Sequence, residues 1–261
     1  MPIRRRFGQN FLTDQHALAR IAGALELAGT EHVIEIGPGR GALTAHLAGR
    51  AARLTCVEVD RDLVAELRVR FGSTPGWSIV EGDILEVDLD ALAGGPFVLV
   101  GNVPYNITTP IIFHALASRG MQRAVFLVQR EVAARLAAAP GSETYGALTV
   151  NVALTCAVET VAAVPAGAFF PRPKVQSAVI RLTPLDTPLV ANDDAAPLRA
   201  FVTGMFGQRR RQLVRALRTV GDLNAESAQA VVERAGLPPT ARAEELAPAE
   251  FVRLYAAFRG A

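Results

Sequence analysis

Four consecutive residues, Asn102-Val103-Pro104-Tyr105, combine an amide side chain, a backbone carbonyl, a proline and an aromatic ring. This set suits adenine, because the Tyr105 ring can stack on the base while the Asn102 side-chain oxygen and the Val103 carbonyl accept hydrogen bonds from the amino group. An adenine amino nitrogen gains positive charge as it attacks an electrophilic methyl group, and such acceptors stabilise that charge. The motif follows the predicted strand 97–100. If it did not follow a strand of this fold, the same residues would indicate an Asx turn with a half-buried tyrosine.

A glycine-rich turn, Gly37-Pro38-Gly39-Arg40-Gly41, lies between a predicted strand and a predicted helix, where the backbone can approach a ligand. The turn alone would also fit NAD, although the dinucleotide fingerprint is G-x-G-x-x-G and this chain has G-x-G-x-G. The next strand ends at Glu58, which can accept hydrogen bonds from ribose hydroxyls, and the third ends at Asp83, which can accept one from an adenine amino group. Taken singly, each acid could equally well be a ligand-binding residue or a structural one, namely a solvated strand end or a helix cap. Together with the turn, they favour S-adenosylmethionine over NAD.

Short apolar runs that alternate with helical patterns predict a βαβ series with a parallel sheet, whose strand ends would bring these residues to one edge. The predicted strands are 33–36, 54–59, 77–80, 97–100 and 124–128, the predicted helices are 42–51, 62–71, 109–117 and 131–139, and β-rich runs at 149–161 and 175–182 are expected to close the sheet. Loop-like segments follow residue 184, and short helices are predicted beyond Pro197. We therefore expect an α/β, Rossmann-like methyltransferase fold over residues 1–185 and a small all-helical, RNA-binding domain over residues 186–261.

Composition excludes several classes of protein. The 261 residues are 50% hydrophobic with a net charge of +2, and Lys174 is the only lysine. Cys56 and Cys156 lie in apolar runs and are expected to be reduced core residues, which favours a cytoplasmic protein. We expect no secretory signal, no membrane span and no metal, because the four histidines have no ligand-like spacing.

Two further segments suggest contacts with RNA. The motif Phe169-Phe170-Pro171-Arg172-Pro173-Lys174 predicts a rigid loop in which Phe169 could stack on the second face of the base, although such phenylalanines are more often core residues. Five arginines without an acid are predicted to contact phosphate, with Arg211, Arg215 and Arg218 on one helix face: Arg209, Arg210, Arg211, Arg215 and Arg218. A solvated helix face is the alternative, and Arg4 to Arg6 are a second candidate surface.

Over nearly its whole length the chain resembles the ribosomal RNA adenine N6,N6-dimethyltransferases of the KsgA type, which act on small-subunit rRNA. The motifs that carry the resemblance are FGQNFL from Phe7, EIGPGRGALT from Glu35, GNVPYNITTPIIFH from Gly101, FFPRPKVQSAV from Phe169 and FGQRRRQL from Phe206. The family more usually has leucine where this chain has Val103, but the role belongs to the backbone carbonyl.

The resemblance implies two successive methyl transfers to each of two adjacent adenosines in the 3′-terminal hairpin loop of 16S rRNA, with a role in small-subunit biogenesis, by an enzyme expected to be monomeric. It implies that the cofactor contacts Gln9, Asn10, Leu12, Gly37, Gly39, Glu58, Val59, Asp83, Ile84 and Asn102. The catalytic group would then be Asn102, Val103, Pro104, Tyr105 and Phe169.

Three alternatives remain open. Macrolide-resistance enzymes, which methylate 23S rRNA, share the N-x-P-Y-N-I motif, although the continuation TTPIIFH looks more like the small-subunit branch. A non-catalytic ribosome-assembly factor would keep the fold, but the intact Asn102 and Tyr105 argue against it. A nicotinamide-dependent oxidoreductase is disfavoured by Asp83 together with the N-x-P-Y motif.

Overall fold

The computed structural model describes residues 10–260, apart from the side chains of Asn192 and Asp193. Gln9 and Arg4 to Arg6 therefore lie outside the described residues. The strands are β1 (Phe11–Leu12), β2 (His32–Ile36), β3 (Arg53–Glu58), β4 (Trp77–Glu81), β5 (Phe97–Asn102), β6 (Met121–Gln129), β7 (Cys156–Val164), β8 (Phe169–Phe170) and β9 (Ser177–Pro184).

Seven of these strands form one sheet in the order β4-β3-β2-β5-β6-β9-β7. The first five are parallel, and β9 is antiparallel to β6. All five residues of β2 are buried, as expected for a central parallel strand covered on both faces. In register, Ile36 lies between Val57 and Gly101, so the chain leaves β2, β3 and β5 at the same edge. The predicted parallel arrangement of the strands in the first part of the chain is confirmed.

Helices lie between the strands up to β9, as the alternating pattern predicts, and further helices follow β9. They are α1 (Gln15–Ala24), α2 (Ala42–Leu47), α3 (Arg61–Phe71), α4 (Leu89–Ala93), α5 (Thr108–Ala117), α6 (Arg130–Leu136), α7 (Ala147–Ala153), α8 (Asn192–Gly207), α9 (Leu213–Val220), α10 (Ala225–Arg234) and α11 (Pro248–Arg259). The cap of α3 shows why it begins where it does: the Asp60 carboxylate accepts a hydrogen bond from the Asp62 backbone N–H at 3.0 Å. Across residues 10–260 no helix combines the length and apolar character needed to cross a bilayer.

The described chain divides into two compact units. One comprises the residues up to 133 together with 158–184, and the other comprises 134–157 together with the residues from 185 onward. The division expected at residue 185 assigns 134–157 to the first domain, whereas Tyr145, Val150 and Leu154 pack in the apolar core of the second unit.

Two local predictions in this part of the chain were wrong. Within the run 149–161, which was predicted to be β-rich, residues 149–153 belong to α7, and only the later part is extended, as β7. A short apolar run cannot by itself distinguish a buried strand from a buried helix. In addition, α8 begins at Asn192, inside the segment expected to be a loop, and continues through Pro197.

A separate two-stranded ladder joins β1 to β8. It is antiparallel, with Phe11 opposite Phe170 and Leu12 opposite Phe169. Leu12 and Phe169 are each 4% exposed, whereas Phe170 is 66% exposed. The ladder therefore has a core face and an outer face, as the alternation of side chains along a strand requires.

Candidate active site

A cavity of about 400 Å³ lies at the edge of the sheet where β2, β3, β4 and β5 end. Its volume falls in the range of ordinary small-molecule pockets. Every predicted cofactor residue that the structure describes lines it: Asn10, Leu12, Gly37, Gly39, Glu58, Val59, Asp83, Ile84 and Asn102. Val103, Pro104 and Tyr105 line the same cavity. The structure thus brings together residues that are far apart in the sequence.

The glycine-rich turn forms the floor of the cavity. Gly37 has φ 58°, and a Cβ atom added there would meet nothing within 4 Å, so the space beside its backbone is open. Gly41 has φ 76°, and a Cβ atom there would lie 2.6 Å from the Phe71 ring. Glycine at these positions permits the left-handed backbone and the close packing of α3 beneath the turn.

Glu58 holds this turn against the end of β3. One carboxylate oxygen accepts the Gly39 backbone N–H at 3.1 Å, and the other accepts those of Val59 and Asp60 at 3.0 Å each. Burial raises the pKa of Glu58, and these hydrogen bonds oppose the rise. The side chain is 5% exposed rather than the exposed acceptor that a strand-end acid suggests. A carboxylate offers about four lone-pair sites, so three backbone donors leave one for a ligand.

Glu35 is a second buried acid in the cavity wall, and sequence reasoning assigned it no role. It is 2% exposed and accepts a hydrogen bond of 2.7 Å from the Thr44 hydroxyl. Burial raises its pKa to about 7. The available signal was its position in β2, two residues before the glycine-rich turn begins at Gly37. At neutral pH this side chain is therefore poised between its neutral and charged forms.

Asp83 lies in the cavity wall at the end of β4. One carboxylate oxygen accepts the Leu85 backbone N–H at 3.0 Å and thereby caps the short 3-10 helix Ile84–Glu86. Its side chain is exposed, and its second oxygen accepts no hydrogen bond from the described residues. Asp83 therefore serves as a cap and retains an acceptor directed to solvent or ligand.

Asn102 has a defined amide orientation. Its Nδ2 donates a hydrogen bond of 3.2 Å to the backbone carbonyl of Asn10, which fixes the positions of nitrogen and oxygen in the side chain. Neither Asn102 Oδ1 nor the Val103 carbonyl oxygen accepts a hydrogen bond from the described part of the chain. The two acceptors predicted for an amino group are thus available beside the cavity.

Tyr105 is fixed by a hydrogen bond of 2.7 Å between its hydroxyl and the buried Ser177 hydroxyl at the start of β9. Burial raises the pKa of the Tyr105 phenol, while the hydrogen bond to Ser177 lowers it. The ring is half-buried in the cavity wall. Because the hydroxyl is held at its far end, the ring forms a preorganised stacking surface.

Phe169 does not occupy the place predicted for it. Its ring packs in the core of the first unit and does not line the cavity. The pairing of Phe169 with Leu12 directs it inward, so Phe170 is the ring that faces outward. The assignment of Phe169 as a catalytic stacking residue is therefore not supported by its position.

The predicted arginine surface is smaller than expected. Arg209 forms an ion pair with Glu244 at 2.6 Å and donates a hydrogen bond of 3.1 Å to the Ser142 carbonyl. Arg211 precedes the helix, because α9 begins at Leu213. Four arginines of the predicted set are exposed and form no ion pair with a described residue: Arg210, Arg211, Arg215 and Arg218.

Over the described ranges, no group of three or more His, Cys, Asp or Glu side chains is placed to hold a metal ion. Cys56 and Cys156 are both buried and free, as the sequence predicts.

Comparisons with known proteins agree with this geometry. The family model described as ribosomal RNA adenine dimethylase matches residues 2–259. The chain is 44% identical over 255 residues to ribosomal RNA small subunit methyltransferase A of Xanthomonas oryzae pv. oryzae, covering 97% of this chain and 95% of that protein. It is 43% identical to the protein of the same name from Chromohalobacter salexigens, covering 96% and 89%.

Two solved structures extend the likeness to the fold. A dimethyladenosine transferase from Plasmodium falciparum has a TM-score of 0.83 at 25% identity, covering 96% of this chain and 98% of that one. The 23S rRNA methyltransferase ErmE has a TM-score of 0.72 at 30% identity, covering 96% and 100%. Because the family model matches almost every residue and the curated relatives cover nearly the whole chain, the chain belongs to the ribosomal RNA adenine dimethylases, which are S-adenosylmethionine-dependent methyltransferases.

Proposed function

We propose that this protein transfers methyl groups to N6 of two adjacent adenosines in the 3′-terminal hairpin loop of 16S rRNA, giving N6,N6-dimethyladenosine. The observation that carries the proposal is the fixed Asn102 amide, whose oxygen is left available beside the Val103 carbonyl and the Tyr105 ring.

The cavity fits S-adenosylmethionine. When bound, this cofactor supplies an electrophilic methyl group on a positively charged sulfur. The open backbone at Gly37, the remaining lone pair of Glu58 and the unpaired oxygen of Asp83 offer sites for its polar groups. Exposed Val59 and buried Ile84, which both line the cavity, offer apolar contacts for the base of the cofactor.

The target adenine binds on the other side of the cavity. Tyr105 stacks on the base and limits its rotation, because its own ring is fixed through Ser177. Asn102 Oδ1 and the Val103 carbonyl accept hydrogen bonds from the amino group and stabilise the positive charge that develops on it. Pro104, between these residues, fixes the backbone that positions them. No strong general base is required, because the proton can pass to water once the charged product forms.

The names of the relatives support the small ribosomal subunit as the partner. We propose that the protein acts as a monomer in the cytoplasm during assembly of that subunit. The exposed arginines of the second unit, with Arg215 and Arg218 one turn apart on α9, supply phosphate contacts.

The test is transfer of tritium-labelled methyl groups to undermethylated small and large subunits in parallel. We expect label in the small subunit, as N6,N6-dimethyladenosine at two adjacent positions. The likeness to ErmE makes 23S rRNA the second candidate, and label confined to the large subunit would establish it instead. No transfer to either subunit, with the cofactor bound, would indicate an assembly factor without catalysis.

A further inference from the structure

The two phenylalanines of the loop before β9 have opposite environments. Phe169 is 4% exposed and Phe170 is 66% exposed. Of the large apolar side chains described in the first unit, only Val69 is more exposed than Phe170. The ladder explains the exposure of Phe170, because this residue lies on its outer face. The ring is thus presented to solvent by the backbone pairing itself.

Phe170 also lies beside the cavity. It is directly opposite Phe11, and opposed residues of an antiparallel pair have Cβ atoms about 4.5–5.5 Å apart on the same face. Phe11 lines the cavity, and the guanidinium carbon of Arg40 lies 5.3 Å from the centre of its ring. The wall of the cavity therefore continues outward from Phe11 to Phe170.

Positively charged residues come shortly after Phe170 in the sequence. Residues 165–182 contain three cations and no acid, namely Arg172, Lys174 and Arg181. Arg181 is ion-paired with Glu26 and Glu159, whereas Arg172 and Lys174 are exposed and form no ion pair within residues 10–260. An exposed aromatic ring with adjacent uncompensated cations suits single-stranded nucleic acid, which offers a base for stacking and a phosphate for each cation.

We propose that Phe170 is a stacking platform for the nucleotide next to the target adenosine, with Arg172 and Lys174 contacting the neighbouring phosphates. This proposal rests on the proposed function, in which the target base itself stacks on Tyr105. When one of two adjacent adenosines lies in the cavity, its neighbour lies at the cavity entrance. Phe170 supplies the second and thereby helps to select a substrate in which the target is flanked by an unpaired base.

The experiment compares the affinities of four proteins for two RNA hairpins without cofactor. The proteins are the parent, Phe170→Ala, Phe170→Leu and Phe170→Trp; one hairpin carries both adjacent adenosines, and the other has an abasic nucleotide at the flanking position. We expect Phe170→Ala to bind the intact hairpin about 5- to 150-fold more weakly. Phe170→Trp should retain the parent's affinity, and Phe170→Leu should fall between Trp and Ala.

On the abasic hairpin the four proteins should bind alike, because the base that stacks is absent. The matched control is Val69→Ala, which removes apolar surface from a side chain that is 91% exposed on α3 and should leave both affinities unchanged. Because Phe170 is largely exposed, the variants should unfold at the parent's temperature. If Phe170→Ala nevertheless fails to fold, the affinities of Phe170→Leu and Phe170→Trp for the two hairpins are compared instead.

Equal affinity of Phe170→Ala and the parent for the intact hairpin would overturn the proposal, as would an equal loss on the abasic hairpin. If the parent self-associates and Phe170→Ala only abolishes that association, the ring is a contact between copies and the proposal is wrong. Methyl transfer by the parent to undermethylated small subunits is measured alongside. Its absence would contradict the proposed function, while the binding comparison would still decide the role of Phe170.

Discussion

The side-chain amide of Asn102 donates a hydrogen bond to the backbone carbonyl of Asn10, 92 residues earlier in the chain, at 3.2 Å. A carbonyl oxygen can accept a hydrogen bond from the amide nitrogen of Asn102 but not from its amide oxygen. This contact therefore determines which atom of the amide faces the cavity. The N-terminal segment thus orients the group that we expect to stabilise the reacting amine. Asn10 acts here through its backbone, so its side-chain type does not determine the orientation.

Replacing Asn102 with Ala should slow methyl transfer by about 100-fold or more, since it removes an acceptor for the charge that develops on the amine. Tyr105→Ala should instead weaken binding of the target base by about 1–3 kcal/mol, because it removes a stacking surface. Single-turnover rates at saturating RNA and cofactor separate the two effects. If Asn102→Ala transfers both methyl groups at the parent's rate, the proposed mechanism is wrong.

Glu58→Ala and Asp83→Ala should differ in stability although both weaken cofactor binding. Removal of the Glu58 carboxylate deprives three backbone N–H groups of their acceptor, at about 1–3 kcal/mol for each donor left buried and unpaired. Removal of the Asp83 carboxylate eliminates one cap hydrogen bond, at about 1 kcal/mol. Urea unfolding measures the stability of each variant, and calorimetric titration measures its affinity for the cofactor. Equal stability of Glu58→Ala and the parent would contradict the structural role of Glu58.

Glu35→Gln should stabilise the protein at neutral pH. Burial raises the pKa of Glu35 from 4.5 to about 7, so between these values the unfolded chain has released a proton that the folded chain keeps. The contribution of Glu35 to stability is thus full below about pH 4.5 and declines as the pH rises through about 7. The variant does not undergo this decline, and its advantage in melting temperature should grow over that window and level off above it.

The control for this prediction is Glu66→Gln, which makes the same chemical change on an exposed residue of α3. Its melting temperature should follow that of the parent at every pH. A Glu35→Gln curve parallel to the parent's from pH 5 to 8 would show that Glu35 is ionised throughout.

Arg215→Gln together with Arg218→Gln should weaken RNA binding and reduce its salt dependence. For each phosphate that the variant no longer neutralises, the slope of log K against log salt should fall by about 0.7 to 0.9. Arg50→Gln with Arg68→Gln is the matched control, since both residues are exposed and form no ion pair with a described residue. An unchanged slope in the first variant would identify this face of α9 as ordinary solvated surface.

The succession of strands along the chain and the edge of the sheet at which they end could be predicted, because both depend on local apolar runs and on which residue follows each one. Their spatial order in the sheet was not predicted. The ion pair between Arg209 and Glu244 could not be predicted. The two residues are 35 positions apart, and no sequence pattern links their segments. The inward direction of Phe169 likewise depends on its pairing with Leu12, which the sequence of the loop does not reveal.

The helix α7 illustrates a different limit. Its sequence ALTVNVA is rich in residues that favour strands, yet it is helical because its apolar side chains complete a core made with α8 and α11. In such a segment, tertiary packing overrides local preference. Glu58 shows the same limit at the site, because its three backbone donors become visible only when the turn is folded.

The ladder between β1 and β8 contains only two residues from each strand. Because side chains alternate along a strand, the register of the pairing determines which side chains face the core. Adding or deleting one residue would exchange the faces of the strand in which it occurs. In β1, Phe11 would turn toward the core and Leu12 toward solvent, and in β8, Phe170 would turn inward and Phe169 outward. The same shift would move the Asn10 carbonyl away from Asn102. The fold of this ladder should therefore tolerate a substitution at exposed Phe170 far better than the insertion or deletion of a residue in either strand.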